Sequence, residues 1–176
     1  AALGYNLHLL RVSLAGYRLP RTLLVQGACS KLVMATRGIT AGAGHAVVEL
    51  RVLLAELWDR VHRLHPSVDL SVYVDDTGIE AKGTEKHIMR VLPAATKVVA
   101  EGLGELRMEL SAEKCVALGS SAALAERIAE VCSGFVQLSA VKRACNLGVG
   151  LAGGRRTASH SSWSRLRMFH ARLPRF

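Results

Sequence analysis

The chain has 176 residues with a net charge of +9, and because 50% of them are hydrophobic and 21% charged, it can bury a core and is not disordered by composition. It has neither an apolar run long enough for a transmembrane helix nor the basic and then apolar start of a secretory signal, which predicts an intracellular protein, nuclear or cytoplasmic, without a membrane partner. The four cysteines form no Cys-x-x-Cys pair, which argues against zinc and against a disulfide framework.

Apolar spacing predicts the elements of the first third of the chain. Residues 3–15 are predicted to be a helix that is broken at Pro20, and residues 21–36 fit a helix or a strand equally well. Residues 38–44 form a glycine-rich loop. A long amphipathic helix follows this loop and ends before Pro66.

Polar and apolar residues alternate over residues 69–74, which predicts a half-buried strand. Residues 76–78 are predicted to turn the chain, and residues 79–81 to return as a second strand. The remaining predicted elements are a helix from Thr84 to about Gly102 with a kink at Pro93, strands at 106–110 and 114–118, and a helix over 122–131 capped by Ser120 or Ser121.

Charge is distributed unevenly along the chain. Residues 1–48 contain five basic and no acidic residues, residues 49–130 contain ten basic and all fourteen acidic residues, and residues 131–176 contain eight basic and no acidic residues. An acidic middle between two basic arms suits a protein that contacts a polyanion with its arms and a cation with its centre.

Two adjacent carboxylates, Asp75 and Asp76, follow the alternating strand. Like charges at contact distance repel each other unless a cation lies between them, and paired carboxylate oxygens suit a hard divalent cation. An acidic pair is also common in ordinary turns, because Asp is favoured there. The neighbouring residues decide between these two interpretations.

The segment Tyr73-Val74-Asp75-Asp76 resembles the aromatic-x-Asp-Asp hairpin in the palm domain of reverse transcriptases, most closely those of non-LTR retrotransposons. Three further segments are similar to other palm motifs and occur in the same order. They are the glycine loop Arg37-Gly38-Ile-Thr-Ala-Gly42 before a long helix, the lysine motif Leu110-Ser-Ala-Glu-Lys114, and the Leu147-Gly148 hairpin that grips the primer. The resemblance covers about residues 20–150. We therefore divide the chain into a partial palm, residues 1–150, and a basic tail rich in Ser and Arg, residues 151–176.

The resemblance implies an α+β fold in which a ferredoxin-like antiparallel sheet packs on helices. It implies RNA-directed DNA synthesis with two Mg²⁺ or Mn²⁺ ions, an RNA template, a DNA primer and deoxynucleoside triphosphates as partners. The implied roles are metal binding for Asp75 and Asp76, catalysis for these two and Lys114, nucleotide or template binding for Tyr73, Arg37, Gly38 and Gly42, and primer contact for Leu147 and Gly148.

Basic residues near the end of the chain are expected to contact the nucleic-acid backbone. These are Lys142, Arg143, Arg155 and Arg156, and further arginines follow among Trp163 and Phe169. Cations interspersed with aromatic rings suit phosphate neutralisation together with base stacking, although a solvated basic tail has the same composition.

The sequence departs from the family at one essential position. An earlier strand should supply a third carboxylate, but no acidic residue precedes Glu49. Glu49, Glu56 and Asp59 lie on the helix after the glycine loop, where they are not expected to replace it. We therefore expect a palm fragment that is inactive by itself.

Two alternative interpretations remain open. The first is a non-catalytic module that binds nucleic acid on an RNA-recognition-like sheet, and the second is an inert relic of a retroelement.

Overall fold

The computed structural model describes residues 4–34, 38–39, 43–146, 149–152 and 167. These residues form four helices and eight short strands in a mixed α and β arrangement, which confirms the predicted α+β class. The chain divides into two compact units, Ala1–Arg60 with Val72–Thr77 and Val61–Ser71 with Gly78–Phe176, called unit 1 and unit 2 below. None of the described helices is long and apolar enough to cross a membrane.

Unit 1 begins with helix α1, Leu7–Tyr17, whose N-cap Asn6 accepts hydrogen bonds from two backbone N–H groups through its side chain. The following segment, which fits helix or strand by sequence, is a hairpin of strands β1, Leu24–Val25, and β2, Ala28–Cys29. Its two-residue loop is Gln26-Gly27, and both residues have positive φ angles, as a type I′ turn requires.

The long amphipathic helix α2, Ala46–Leu64, buries Leu54, Leu57 and Val61 as its apolar spacing predicts. Its first turn reverses the usual pattern of an amphipathic helix, because the apolar Val47 is 39% exposed whereas the charged Glu49 is only 7% exposed. One residue on the polar face of this helix, Glu49, is therefore buried and does not face solvent. The side chains that surround Glu49 explain this reversal and are described below.

Strands β3, Val68–Tyr73, and β4, Asp76–Ala81, form a two-stranded sheet of their own. Helix α3, Glu85–Glu105, begins at the predicted N-cap Thr84 and continues through the buried Pro93. The backbone around the hairpin therefore has the predicted order of strand, strand and helix.

The rest of unit 2 is built around helix α4, Ala122–Cys132, which begins at the predicted N-cap Ser121. It connects β5, Val116–Leu118, to β6, Ser139–Val141, and these two strands pair in parallel. Parallel neighbours need a crossover of this kind because a short turn cannot join them. Helix α3 packs on α4 to close the core. The buried members of this core are Ala117, Leu124, Ile128, Cys132 and Val136.

Strands β7, Arg143–Asn146, and β8, Val149–Ala152, form an antiparallel hairpin in which Asn146 pairs with Val149. The described strands thus form four separate pairs, one of them parallel, instead of the single antiparallel sheet that was predicted. The reason is topological, since a strand that follows the α4 crossover returns parallel to the strand before it.

The prediction of a strand at residues 106–110 is wrong, because the structure has no strand there. The backbone N–H groups of Arg107 and Met108 bond to the carbonyl oxygens of Gly104 and Leu103, at 2.9 Å each, and Arg107 has a φ of 56°. This is the Schellman end of a helix, with an arginine at the left-handed position where glycine is usual. Residues 106–108 therefore form the C-terminal end of α3 and do not begin a strand.

Candidate metal-binding hairpin

The candidate site is the tip of the β3–β4 hairpin. Tyr73 is the last residue of β3, Val74 and Asp75 form a two-residue loop, and Asp76 is the first residue of β4. The predicted turn at residues 76–78 is wrong, because the chain turns two residues earlier and residues 76–78 already belong to β4. The two carboxylates therefore occupy different positions, one in the loop and one at the start of a strand.

Val74 adopts a φ of 56° in this loop. A positive φ is rare for a residue with a branched Cβ, because the side chain then collides with its own backbone. A conformation of this kind persists only where the surrounding structure enforces it, and such residues cluster at functional sites. The strained residue lies between the aromatic ring and the two carboxylates that the family resemblance selects.

The tip presents its polar groups to solvent. Asp75 and Asp76 are exposed, and the side chain of Tyr73 is 59% exposed. Carboxylate oxygens are the ligands that Mg²⁺ and Mn²⁺ accept, so the donor chemistry of the pair fits such an ion. Within the described part of the chain, no three His, Cys, Asp or Glu side chains form a group that could hold a metal. The pair therefore offers two carboxylates and leaves most coordination positions to water or to a bound phosphate.

The base of the hairpin in unit 2 is held by short polar contacts. Ser71 Oγ donates to the carbonyl oxygen of Gly78 at 3.5 Å, and Lys82 Nζ lies 3.2 Å from Asp69 Oδ2 in an exposed ion pair. An exposed pair of this type contributes about 0–1 kcal/mol, so the strand pairing and not the ion pair defines the hairpin.

Lys114, the residue expected beside the leaving pyrophosphate, lies in unit 2 and is exposed. Its backbone N–H donates to the Ser111 carbonyl oxygen at 3.0 Å, within a turn that precedes β5. Lys142 and Arg143 are also exposed in unit 2, at the start of the β7–β8 hairpin. Gly38 belongs to unit 1, where its φ of 87° suits the predicted glycine loop.

Several predicted positions lie outside the described residues. They are Arg37 and Gly42 of the glycine loop, Leu147 and Gly148 of the primer-contacting loop, and Arg155 and Arg156 of the basic tail. The strands on either side of residues 147–148, β7 and β8, pair in antiparallel register.

A second polar cluster in unit 1 is not evident from the sequence. The hydroxyl of Tyr5 donates to Glu49 Oε1 at 3.2 Å, and the hydroxyl of Tyr17 donates to Glu49 Oε2. Burial raises the pKa of the Glu49 carboxyl, but hydrogen bonds from Ser13, Tyr17 and Tyr5 and the charge of His45 outweigh burial, so the pKa is lowered. The hydrogen bond to Glu49 raises the pKa of Tyr17 to about 12.

No match to this chain was found among models of protein families, curated proteins or solved structures. The residues of the hairpin and of the basic segments therefore carry the functional argument.

Proposed function

We propose that this chain is part of the palm of a reverse transcriptase, an RNA-directed DNA polymerase. The observation that carries the proposal is the hairpin tip, where a single strained residue, Val74, separates an exposed Tyr73 from the exposed Asp75 and Asp76. The order of the glycine loop, the long helix, the hairpin and the lysine motif along the chain supports the same proposal.

In this proposal Asp75 and Asp76 supply oxygen ligands for divalent cations. Mg²⁺ ions held by these carboxylates would supply positive charge to the attacking 3′ hydroxyl and to the leaving pyrophosphate. Lys114 supplies a positive charge, and a transferable proton, to the leaving pyrophosphate. The exposed Tyr73 packs against the nucleotide or the template.

The third carboxylate that the family requires has no counterpart before Glu49. Glu49 itself cannot serve, because its carboxylate is buried and already accepts hydrogen bonds from Tyr5 and Tyr17. We therefore expect these 176 residues to bind Mg²⁺ or Mn²⁺ weakly, on the order of millimolar, and not to polymerise by themselves.

The nucleic-acid contact is assigned to the basic segments. Residues 131–176 contain eight basic residues and no acidic residue, and Lys142 and Arg143 are exposed. Such a segment neutralises phosphates without reading the base sequence, and single strands or RNA–DNA hybrids are therefore its expected partners.

Mn²⁺ titration followed by paramagnetic broadening of backbone amide signals tests the metal assignment. We expect broadening to centre on residues 73–77 and to be lost in Asp75→Asn and Asp76→Asn. Asp69→Asn, an exposed carboxylate on the same hairpin, is the matched control and should leave the broadening unchanged. Broadening that centres elsewhere, or that survives both variants, would contradict the proposal.

A primer annealed to an RNA template separates the catalytic proposal from its main alternative. If the chain binds this duplex and Mn²⁺ strengthens the binding through Asp75, the palm assignment is supported. Binding that is indifferent both to Mn²⁺ and to Asp75→Asn would favour a non-catalytic nucleic-acid-binding module.

A further inference from the structure

Helix α1 has no buried side chain. Leu7, Val12 and Leu14, for example, are 46%, 72% and 47% exposed. Burial of apolar surface is the usual force that holds a helix in place, at about 25 cal/mol per Å² removed from water, and α1 gains little from it. Its position within unit 1 must therefore depend on polar contacts.

Those polar contacts converge on one carboxylate. Ser13 and Tyr17 of α1 and Tyr5 just before it all donate hydroxyl hydrogen bonds to Glu49 in the first turn of α2. Glu49 is 7% exposed and is the buried charged side chain of the described chain. A buried carboxylate is tolerated only where donors satisfy its oxygens, and here three donors do so from a single neighbouring segment.

We propose that the Glu49 carboxylate is a pH-sensitive clasp, which holds α1 against α2 when it is ionised and releases α1 when it is protonated. The release leaves the core of unit 2 intact. The inference concerns unit 1 alone and does not depend on the proposed function.

Protonation breaks the clasp because it changes an acceptor into a donor. An ionised carboxylate accepts charge-assisted hydrogen bonds at both oxygens, whereas a protonated one is neutral and has one O–H in place of an acceptor. With Tyr5 on Oε1 and Tyr17 on Oε2, protonation removes the charge that strengthens both hydrogen bonds, and it forces the hydroxyl that faces the new O–H to reverse from donor to acceptor. The charged groups nearby are His45, whose charge favours the carboxylate, and Arg21, whose guanidinium donates to the Tyr17 carbonyl oxygen at 3.3 Å.

The direction of the pH dependence follows from the lowered pKa of Glu49. A carboxyl whose pKa is lower in the folded state contributes stability that is present above its ordinary value of 4.5 and is lost as the pH falls through the lowered value. The clasp is therefore closed at neutral pH, and it opens below pH 4.5.

Hydrogen exchange of backbone amides tests the clasp, with α4 as the internal reference for global stability. In the wild-type chain we expect the amide protection factors of α1 to decrease when the pH is lowered below 4.5. The protection factors of α4 should stay unchanged over the same range. Glu49→Gln should lower α1 protection at least about tenfold already at neutral pH, because the neutral amide accepts weaker hydrogen bonds and its NH₂ group forces one of the two hydroxyls to reverse from donor to acceptor. The pH dependence of α1 protection should then disappear.

Glu56→Gln is the matched control, since Glu56 is an exposed carboxylate on the same helix. It should leave α1 protection and its pH dependence unchanged. A double variant, Tyr5→Phe with Tyr17→Phe, keeps Glu49 and removes two donors, and it should lower α1 protection in the same direction if Glu49→Gln does not fold. Unchanged α1 protection in a folded Glu49→Gln chain, or equal loss of protection in α1 and α4, would overturn the proposal.

Discussion

Gly119 lies directly against the backbone of Ala125 in the first turn of α4. A Cβ atom at residue 119 would be 2.8 Å from the backbone nitrogen of Ala125 and 2.9 Å from the carbonyl oxygen of Ser121. Neither atom belongs to a side chain that could rotate away. The close approach of β5 to the start of α4 therefore requires glycine at this position.

Gly119→Ala is expected to destabilise the fold by about 1–3 kcal/mol, because the added methyl group forces the N-cap of α4 away from β5. Denaturant unfolding monitored by circular dichroism measures the change. Gly104→Ala is the matched control, since a Cβ built there has no atom within 4 Å apart from the adjacent residues and the backbone of its own helix, and it should be neutral or stabilising by up to ~1 kcal/mol. Equal effects of the two substitutions would contradict the described packing.

Arg107→Gly is expected to stabilise the chain. Arg107 has a φ of 56° at the end of α3, a conformation that costs a residue with a Cβ roughly 1–2 kcal/mol. Glycine avoids this cost but loses more entropy on folding, so the net gain should be about 0.5–1 kcal/mol. Arg107→Ala removes the same side chain without relieving the backbone, and it should bring no gain. A thermal unfolding series compares the three proteins.

The ionisation of tyrosine reports on the Glu49 cluster. The pKa of Tyr17 is raised to about 12, chiefly by its hydrogen bond to Glu49, and that of Tyr5 is also raised. Because a raised pKa favours the neutral hydroxyl, its stabilising contribution is complete below pH 10 and is lost as the pH rises towards 12. Absorbance at the phenolate band should show a late-titrating tyrosine in the wild type, and Glu49→Gln should shift it to lower pH. Glu56→Gln, the control, should leave this titration unchanged.

Local signals in the sequence were sufficient to predict the helices of unit 2 and the presence of the hairpin. Thr84 Oγ1 accepts from the backbone N–H of His87 at 3.3 Å, and Ser121 Oγ accepts from that of Leu124 at 3.1 Å. Each cap lies within three residues of its partner, so a short window of sequence contains the whole interaction. The alternation over β3 is equally local.

Long-range interactions were the ones that the sequence did not reveal. The parallel pairing of β5 with β6 depends on the α4 crossover, and the position of Glu49 depends on tyrosines 44 and 32 residues earlier in the chain. Glu49 looks like an ordinary solvent-facing residue of an amphipathic helix until Tyr5 and Tyr17 are placed beside it. The prediction of a strand at residues 106–110 was wrong because Leu106 is the C-cap of α3 and Arg107 adopts a left-handed conformation, which no local propensity favours.

Val74→Gly tests whether the strained loop matters for the metal site. Relief of the positive φ should stabilise the chain by about 0.5–1 kcal/mol, after allowance for the greater flexibility of unfolded glycine. The same flexibility should weaken Mn²⁺ binding, because Asp75 is no longer held in one position beside Asp76. Val72→Gly, within β3, is the control, and it should destabilise without relieving strain. Tighter Mn²⁺ binding in Val74→Gly would show that the strain does not position the carboxylates.

The salt dependence of nucleic-acid binding tests the role of the two exposed basic residues at the start of β7. Each phosphate that a cation neutralises contributes about −0.7 to the slope of log K against log salt concentration for a single strand. The double substitution Lys142→Gln with Arg143→Gln should therefore reduce the magnitude of the slope by roughly 1.4, with a similar loss for any base sequence. Lys97→Gln is the matched control, because Lys97 lies on α3 in an exposed ion pair with Glu101 at 3.7 Å, and it should leave the slope unchanged. Fluorescence anisotropy of labelled single-stranded RNA over a series of salt concentrations gives the slopes. A slope that is insensitive to the double substitution would remove Lys142 and Arg143 from the nucleic-acid contact and leave that contact to other basic residues.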